Sequence, residues 1–213
     1  MEVKITKPDY INEKQLAKFG YNFIAGIDEV GRGTLAGPVL SALVIFPKDF
    51  HSEWFSLIDD SKRLTENKRL HLFHLIKSNA LSVSVGSVSN TEIDQIGISS
   101  ATKLSMLRAI ESSKIRPDYL LIDAVKLNSV DIAQKSIVKG DQISSSIAAA
   151  SIIAKVTRDQ IMVDFDKIYT KYGFGNHKGY GTKFHVDALN EYGMTPIHRK
   201  SFEPVKSMIK ESK

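Results

Sequence analysis

Apolar and polar positions recur along this chain with different periods, and the period assigns most of the elements. Residues 22–30, NFIAGIDEV, and 39–46, VLSALVIF, are short runs rich in β-branched and apolar side chains and read as strands, the second stopped by Pro47. Only residues 31–38 separate them, a Gly- and Pro-containing stretch of hairpin-like length. Over 64–79 the period lengthens: Leu64, Leu72, Phe73, Leu75 and Ile76 stand among charged residues as on an amphipathic helix. Residues 80–89 return to alternation, with Leu81, Val83 and Val85 against small polar residues, which predicts a half-buried strand. Residues 91–114 read as helix with an interruption near Gly97. The run 118–125, DYLLIDAV, is almost continuously apolar, as a buried central strand is, and 135–139 reads as one more short strand.

Residues 141–172 read as helical, in two helices meeting near Arg158 and Asp159. On the first, Ile143, Ile147 and Ala150 share a face, with Ala154 a turn on, and most other positions are Ser or Ala. Such small residues let a helix approach a sheet closely. A loop over 173–181 and a short helix over 182–192 follow. Hairpin strands first and strand–helix alternation afterwards specify an α/β fold built on a mixed sheet.

Composition narrows the class. With 213 residues, 42% apolar and 25% charged, the chain is long enough to bury a core without staples and suits a single domain over 1–213. Cysteine is absent, which excludes disulfides and Cys-bearing zinc sites and fits a reducing compartment. The N-terminal segment lacks a signal peptide's apolar core, and no window approaches the ~20 apolar residues of a membrane span. A soluble, cytoplasmic, monomeric protein is expected. The net charge of +5 points only weakly to a polyanionic partner. Basic residues gather over 198–213, either as a solvated tail or as a nucleic-acid contact.

The segment over 26–39, GIDEVGRGTLAGPV, carries the candidate chemistry. Glycines after a strand suggest a phosphate-binding loop, but the spacing fails. Gly26 and Gly31 are followed by Arg32 and Gly33 instead of the phosphate lysine and magnesium hydroxyl, and Gly37 comes one residue too late for a dinucleotide pattern. The acids are the better lead. Asp28 in FIAGIDEV and Asp123 in LLIDAV each sit in an apolar strand, where an uncompensated carboxylate costs several kcal/mol. One shared divalent cation, Mg²⁺ or Mn²⁺, would compensate both. Asp141, where a helix begins, is either a further ligand or an N-cap. Glu29 points away from Asp28 on a regular strand, so it joins the same site only if the strand ends or bends there, for which Gly31 and Gly33 supply freedom. A carboxylate-only site with two metals suits phosphodiester hydrolysis.

Six stretches in order and spacing, GIDEVGRGTLAGPV (26–39), DSKRLT (60–65), IDA (122–124), KGDQISSSIAAASIIAKVTRD (139–159), YGFGNHKGYGT (172–182) and TPIHRKSF (195–202), resemble the type 2 ribonucleases H, the ribonuclease HII family. The resemblance covers about Phe23 to Pro204. It implies a ribonuclease H-like mixed β-sheet flanked by helices over about 20–172, with a helical C-terminal extension over about 173–213 that contributes to substrate binding. It also implies endonucleolytic cleavage of the RNA strand of RNA–DNA hybrids and nicking 5′ of single ribonucleotides in duplex DNA, leaving 3′-hydroxyl and 5′-phosphate ends. Asp28, Glu29, Asp123 and Asp141 fall on the family's four catalytic, metal-holding acids, with two divalent ions, Mg²⁺ or Mn²⁺, during catalysis. Gly31, Arg32 and Gly33 fall on the motif that reads the ribose 2′-hydroxyl through the backbone, and Tyr180 on the tyrosine that stacks on the junction sugar. Close approach to a sugar is what distinguishing RNA from DNA at one residue demands, and glycines permit it.

Arg32, Lys62, Arg63, Lys178 and Arg199 are candidate phosphate contacts. Thr34 and Gly181 stand where many members carry proline. Asp141 separates the chain from the related ribonucleases HIII, which carry Glu there and an extra N-terminal domain. Two other readings compete: a different metal-dependent nuclease or phosphatase, which would lack the GRG and KGY elements, and a non-catalytic nucleic-acid binder, which leaves the buried carboxylates unexplained. His71 and His74 read as surface helix residues, whereas His177, His185 and His198 stay open between substrate contact and solubility.

Overall fold

The computed structural model describes residues 7–211. Parts of two expectations, for the extreme N-terminus and for the end of the basic tail, lie outside the described residues. The elements in chain order are α1 (Ile11–Lys18), β1 (Ile24–Val30), β2 (Val39–Ile45), α2 (Glu66–Asn79), β3 (Ser82–Val88), α3 (Asn90–Ile96), α4 (Ile98–Glu111), β4 (Tyr119–Asp123), β5 (Ala133–Ile137), α5 (Ser145–Ile168), α6 (Phe174–His177), α7 (Lys183–Tyr192) and α8 (Val205–Glu211). No helix among the described residues is long and apolar enough to cross a membrane.

The sheet runs β3-β2-β1-β4-β5. β1, β2 and β3 form an antiparallel meander, while β4 and β5 join it in parallel. This is the mixed sheet that the strand order predicted. Both faces of β1 and β2 are covered. Leu40, Ala42 and Val44 meet α5 and α2, whereas Ala25, Ile27, Leu43 and Ile45 meet α4. The strict alternation of these two sets is the period of a strand buried on both sides.

α5 crosses β1 at backbone distance. A Cβ added to Gly26 would lie 2.1 Å from the carbonyl carbon of Ser146, so only glycine admits the helix. The Ser and Ala positions of the helix are buried as expected. The helix is continuous over 145–168, not two helices meeting at Arg158. No Gly or Pro interrupts it, and the Arg158 side chain leaves the helix without disturbing it. Ile143 lies outside the helix and is exposed, so it does not share the face of Ile147 and Ala150.

β3 also differs in detail. Its small-residue face is the more buried one, with Ser84 Oγ donating to the Ala109 carbonyl at 2.6 Å, while Leu81 is exposed and Val83 and Val85 are half-buried. The serines fit because α4 approaches too closely for larger side chains there.

No sequence pattern marked α1. Its Glu13 is buried and accepts from Ser144 Oγ at 2.5 Å and from the Ser146 amide at 3.1 Å, placing a carboxylate at the N-terminus of α5. The C-terminal elements form their own apolar cluster, in which Phe174, Leu189 and Ile197 pack on Met162 of α5 and on Leu35 and Ala36 of the loop after β1.

Candidate active site

Parallel pairing of β1 with β4 stops at Ile27 and Ile122, although β1 stays paired with β2 as far as Val30. The two parallel strands therefore part company at their C-terminal ends, where α/β sheets place their ligand crevices. Asp28 is the first β1 residue past the fork, and Asp123 is the last residue of β4. Oxygens of Asp28, Glu29 and Asp123 lie within 4.8 Å of one another. Glu29 thus joins the cluster while still inside its strand. The strand ends one residue later, at Val30 just before Gly31, as the sequence required, and β4 has already left it at Ile27, which opens the space beside Glu29. Arg32 Nη1, 3.1 Å from Glu29 Oε1, holds the longer acid in place.

Asp141 lies on a single 3₁₀ turn, Gly140–Gln142, and the cap of α5 is Ser144, whose hydroxyl accepts from the Ile147 amide at 3.3 Å. The cap role is therefore excluded. Asp141 faces the same cavity as the other three acids but stands outside their tight cluster. The turn is tied to β4 by the Gly140 amide, which donates to Asp123 Oδ1 at 2.7 Å. That cavity measures about 310 Å³, and Lys62, Lys155 and Tyr180 also line it. A larger groove of about 520 Å³ between α2, β3 and α5 is lined mostly by apolar residues and no acid, so it offers nothing for this chemistry.

Burial first, then the charges of Glu29 and Asp123, pushes Asp28 well above the usual carboxylate range. Glu29 is raised by burial against the opposing pull of Arg32, and Asp141 by burial and then by Asp60 and Asp123. Burial alone would lower Lys62, but Asp141, Asp60 and the other acids around it raise it. Glu29 Oε2 is buried without a hydrogen-bond partner. Crowded carboxylates with an orphaned oxygen are what a hard divalent cation relieves, so the residues present fit Mg²⁺ or Mn²⁺.

The loop over 31–38 is the second part of the site. Gly31 has φ +89°, and a Cβ there would lie 2.2 Å from Arg158 Nε, so no other residue fits. Gly33 has open space where its Cβ would be. Arg199, read from sequence as a phosphate contact, is instead fully buried: its guanidinium donates to the carbonyls of Gly31, Arg32 and Gly37. Arg158 is buried beside it and donates to Pro38, Lys178, Ala36 and Thr34 Oγ1. Burial lowers Arg199 to about 9 and Arg158 to about 10. Lys178 lines a different groove, beside Glu66 and Asp159, and its ammonium bonds the Gly175 carbonyl, so it is not brought to the acids. Arg63 is engaged with Asp59 at 3.5 Å.

Tyr180, exposed at the cavity rim, is held by a chain of imidazoles. The Thr195 amide donates to His198 Nδ1 at 2.8 Å, so His198 carries its proton on Nε2. That proton goes to His185 Nε2 at 2.9 Å, and His185 Nδ1 donates to the Tyr180 carbonyl at 2.9 Å. His177, stacked on His185, accepts from the Gly179 amide. His185 and His198 are buried and held neutral, burial lowering each to about 4. They contact neither solvent nor substrate space, which corrects both sequence readings of these two. His71 and His74 lie on the surface of α2 as expected. Sequence reasoning did not single out Lys155 or Ser151. Ser151 lines the cavity with Asp28, and its hydroxyl partly offsets the rise that burial gives that acid. Both residues sit in the 139–159 motif, and once Asp28 is placed facing α5 the helical spacing identifies them.

The ribonuclease HII family model matches residues 25–205. A ribonuclease HII from Desulfitobacterium hafniense is 53% identical over 197 residues, 92% of this chain and 75% of that protein. The ribonuclease H2 of Pyrococcus horikoshii superposes with a TM-score of 0.73 at 25% identity, over 89% of this chain and 98% of that one. A ribonuclease HIII described as Bst-RNase HIII in complex with Mn²⁺ shares the fold at 18% identity and a TM-score of 0.64, over 91% of this chain and 71% of that one. Four acids around one cavity at a sheet fork, on a fold shared with these enzymes and with half the residues of a curated relative, place the chain in the ribonuclease HII family of ribonucleases H.

Proposed function

We propose that the chain cuts the RNA strand of RNA–DNA hybrids and nicks duplex DNA 5′ of a single embedded ribonucleotide, leaving 3′-hydroxyl and 5′-phosphate ends. The observation that carries this reading is the meeting of Asp28, Glu29 and Asp123 at the fork between β1 and β4, with Asp141 across the cavity. These four would hold two divalent ions, Mg²⁺ or Mn²⁺. When bound, such ions supply an activated water and stabilise the leaving oxygen. Three of the acids gain from this arrangement as well, since burial and neighbouring carboxylates disfavour the charges of Asp28, Glu29 and Asp141.

The rest of the cavity suits a nucleic-acid backbone. Lys62 keeps its ammonium charged among the acids and faces the cavity, where it would meet a phosphate. Lys155 faces the same space while paired with Asp159 at 2.8 Å. Arg32 is half-exposed next to Glu29, and Gly33 beside it leaves the backbone bare, so the peptide units of Gly31, Arg32 and Gly33 can reach a ribose 2′-hydroxyl. Tyr180, which also lines the cavity, offers a ring to stack against the sugar at the RNA-to-DNA step. In this reading 1–213 acts as one catalytic domain, with residues 173–213 contributing to substrate binding through Tyr180. The cysteine-free sequence fits action in the cytoplasm.

An RNA–DNA hybrid labelled on either strand tests the reading. Cleavage of the RNA strand alone, in Mg²⁺ or Mn²⁺ and not in EDTA, is expected. Cutting of both strands alike, or cutting that survives EDTA, overturns it.

A further inference from the structure

Two fully buried arginines that form no ion pair among the described residues are unusual, because a buried guanidinium normally finds a carboxylate. Here Arg199 spends its donors on backbone carbonyls of one short loop, and Arg158 spends all but one on the same loop, the exception being the Lys178 carbonyl. Arg199 Nη2 donates to Gly31 O at 2.6 Å and to Gly37 O at 3.0 Å, and its Nη1 to Arg32 O at 2.9 Å. Arg158 Nη2 donates to Thr34 Oγ1 at 2.8 Å, and the Thr34 hydroxyl donates on to the Gly31 carbonyl at 3.1 Å. The Gly31 carbonyl is therefore held twice.

Peptide planarity turns this into a statement about the opposite edge of the loop. In a trans peptide the C=O of one residue and the N–H of the next point in opposite directions. With the carbonyls of Gly31 and Arg32 drawn inward to Arg199, the amides of Arg32 and Gly33 are aimed outward. Both residues are exposed, and neither amide meets an acceptor among the described residues. The Arg32 side chain ties this edge to Glu29 of the acid cluster. An arginine fork suits the task, because its planar set of donors fixes several carbonyl directions at once, which an ammonium cannot do.

We propose that Arg199, and Arg158 acting through Thr34, are positioning residues that set the enzyme's preference for a ribonucleotide by holding the Arg32 and Gly33 amides toward the 2′-hydroxyl. Neither arginine touches substrate. This rests on the function proposed above. Thr34 gives the idea a feature specific to this chain: its hydroxyl links the two arginines through Gly31, a link that a proline at this position would lack.

The test compares binding of two duplexes of one sequence, one all-DNA and one with a single ribonucleotide, in an Asp123→Asn background with Mg²⁺ so that neither is cut. Fluorescence anisotropy gives a Kd for each. The background protein should favour the ribonucleotide duplex by about tenfold, the scale of one hydrogen bond. Adding Arg199→Lys should bring the ratio near one, and adding Thr34→Val should lower it about threefold. The all-DNA Kd should stay the same in both. Unchanged ratios in folded variants overturn the proposal, as do equal losses of affinity for both duplexes, which would mark a merely structural role. Should Arg199→Lys fail to fold, Thr34→Val alone decides. A background protein with no preference for the ribonucleotide refutes the functional reading beneath it and the proposal together.

Discussion

Removing a proposed catalytic acid should make the metal-free protein more stable. In Asp28→Asn the perturbation is one charge in a cluster whose three oxygens lie within 4.8 Å of one another. At that separation two full charges repel by roughly 3.5 kcal/mol at an effective dielectric constant near 20. Asp28 takes part in two of the three pairings. Against that gain stands a weakened hydrogen bond from the Glu29 amide, 2.7 Å from Asp28 Oδ1, worth on the order of 1–2 kcal/mol. Partial protonation of the raised acids offsets some of the rest. A net stabilisation of roughly 2 kcal/mol follows, or about 4–8 °C for a chain of this size. The sign with pH is definite. Asp28 binds its proton more tightly folded than unfolded, so its penalty is absent below the unfolded value and grows as pH rises through the folded one, and it is complete only above that. The assay is thermal unfolding followed by circular dichroism at pH 8. In EDTA the variant should melt above the parent. Mg²⁺ or Mn²⁺ should raise the parent's midpoint and barely move the variant's. A variant that melts below the parent in EDTA, with the same metal-induced shift, would refute both the repulsion and the shared metal site.

Acid should unfold the protein through His185 and His198. Their folded values of about 4 lie below the ordinary 6.5, so the stability that neutral imidazoles provide is full above 6.5 and is lost as pH falls toward 4, on the order of 3 kcal/mol for each. Urea midpoints from pH 7.5 to 4.5 should fall accordingly, and a flat profile would contradict the buried neutral pair. Asp123→Asn should nearly abolish cutting while the circular dichroism spectrum stays native; retained activity would remove Asp123 from the site. Tyr180→Ala should weaken cutting at single ribonucleotides more than it weakens duplex binding, measured by gel assay and anisotropy, and equal losses would assign the ring a general structural role.

The strand and helix pattern was legible because the elements that build the sheet bury regular faces. Both strands of the first hairpin, the helix over 66–79 and the break at Gly97 follow from period and punctuation alone. The acids were legible as buried charges in apolar strands. What a linear pattern could not carry was the partner of each charge. Arg199 looked like a phosphate contact because it stands in a basic stretch, and the loop carbonyls that bury it come from residues 31, 32 and 37, far away in sequence. The histidines failed for the same reason: His185 and His198 read as polar surface until the fold joins them edge to edge. Glu29 was expected to need a strand end or a bend, and β1 does end at Val30, but alternation on one strand could not say that β4 leaves three residues earlier. Two helices were expected to meet near Arg158 and Asp159, yet the helix runs on, because the donors of Arg158 are satisfied by carbonyls and by Thr34. α1 escaped notice because its role depends on one acid, Glu13, meeting a helix N-terminus more than a hundred residues away.

The central claim is that four acids at the strand fork and the aimed loop beside them make a metal-dependent enzyme that recognises one ribose in DNA. A duplex with a single ribonucleotide, set beside its all-DNA counterpart in Mg²⁺ and in Mn²⁺, tests it most directly. The account predicts a nick on the 5′ side of the ribonucleotide with 3′-hydroxyl and 5′-phosphate ends, and an intact control. An intact ribonucleotide duplex with both metals, or equal cutting of the control, would contradict it.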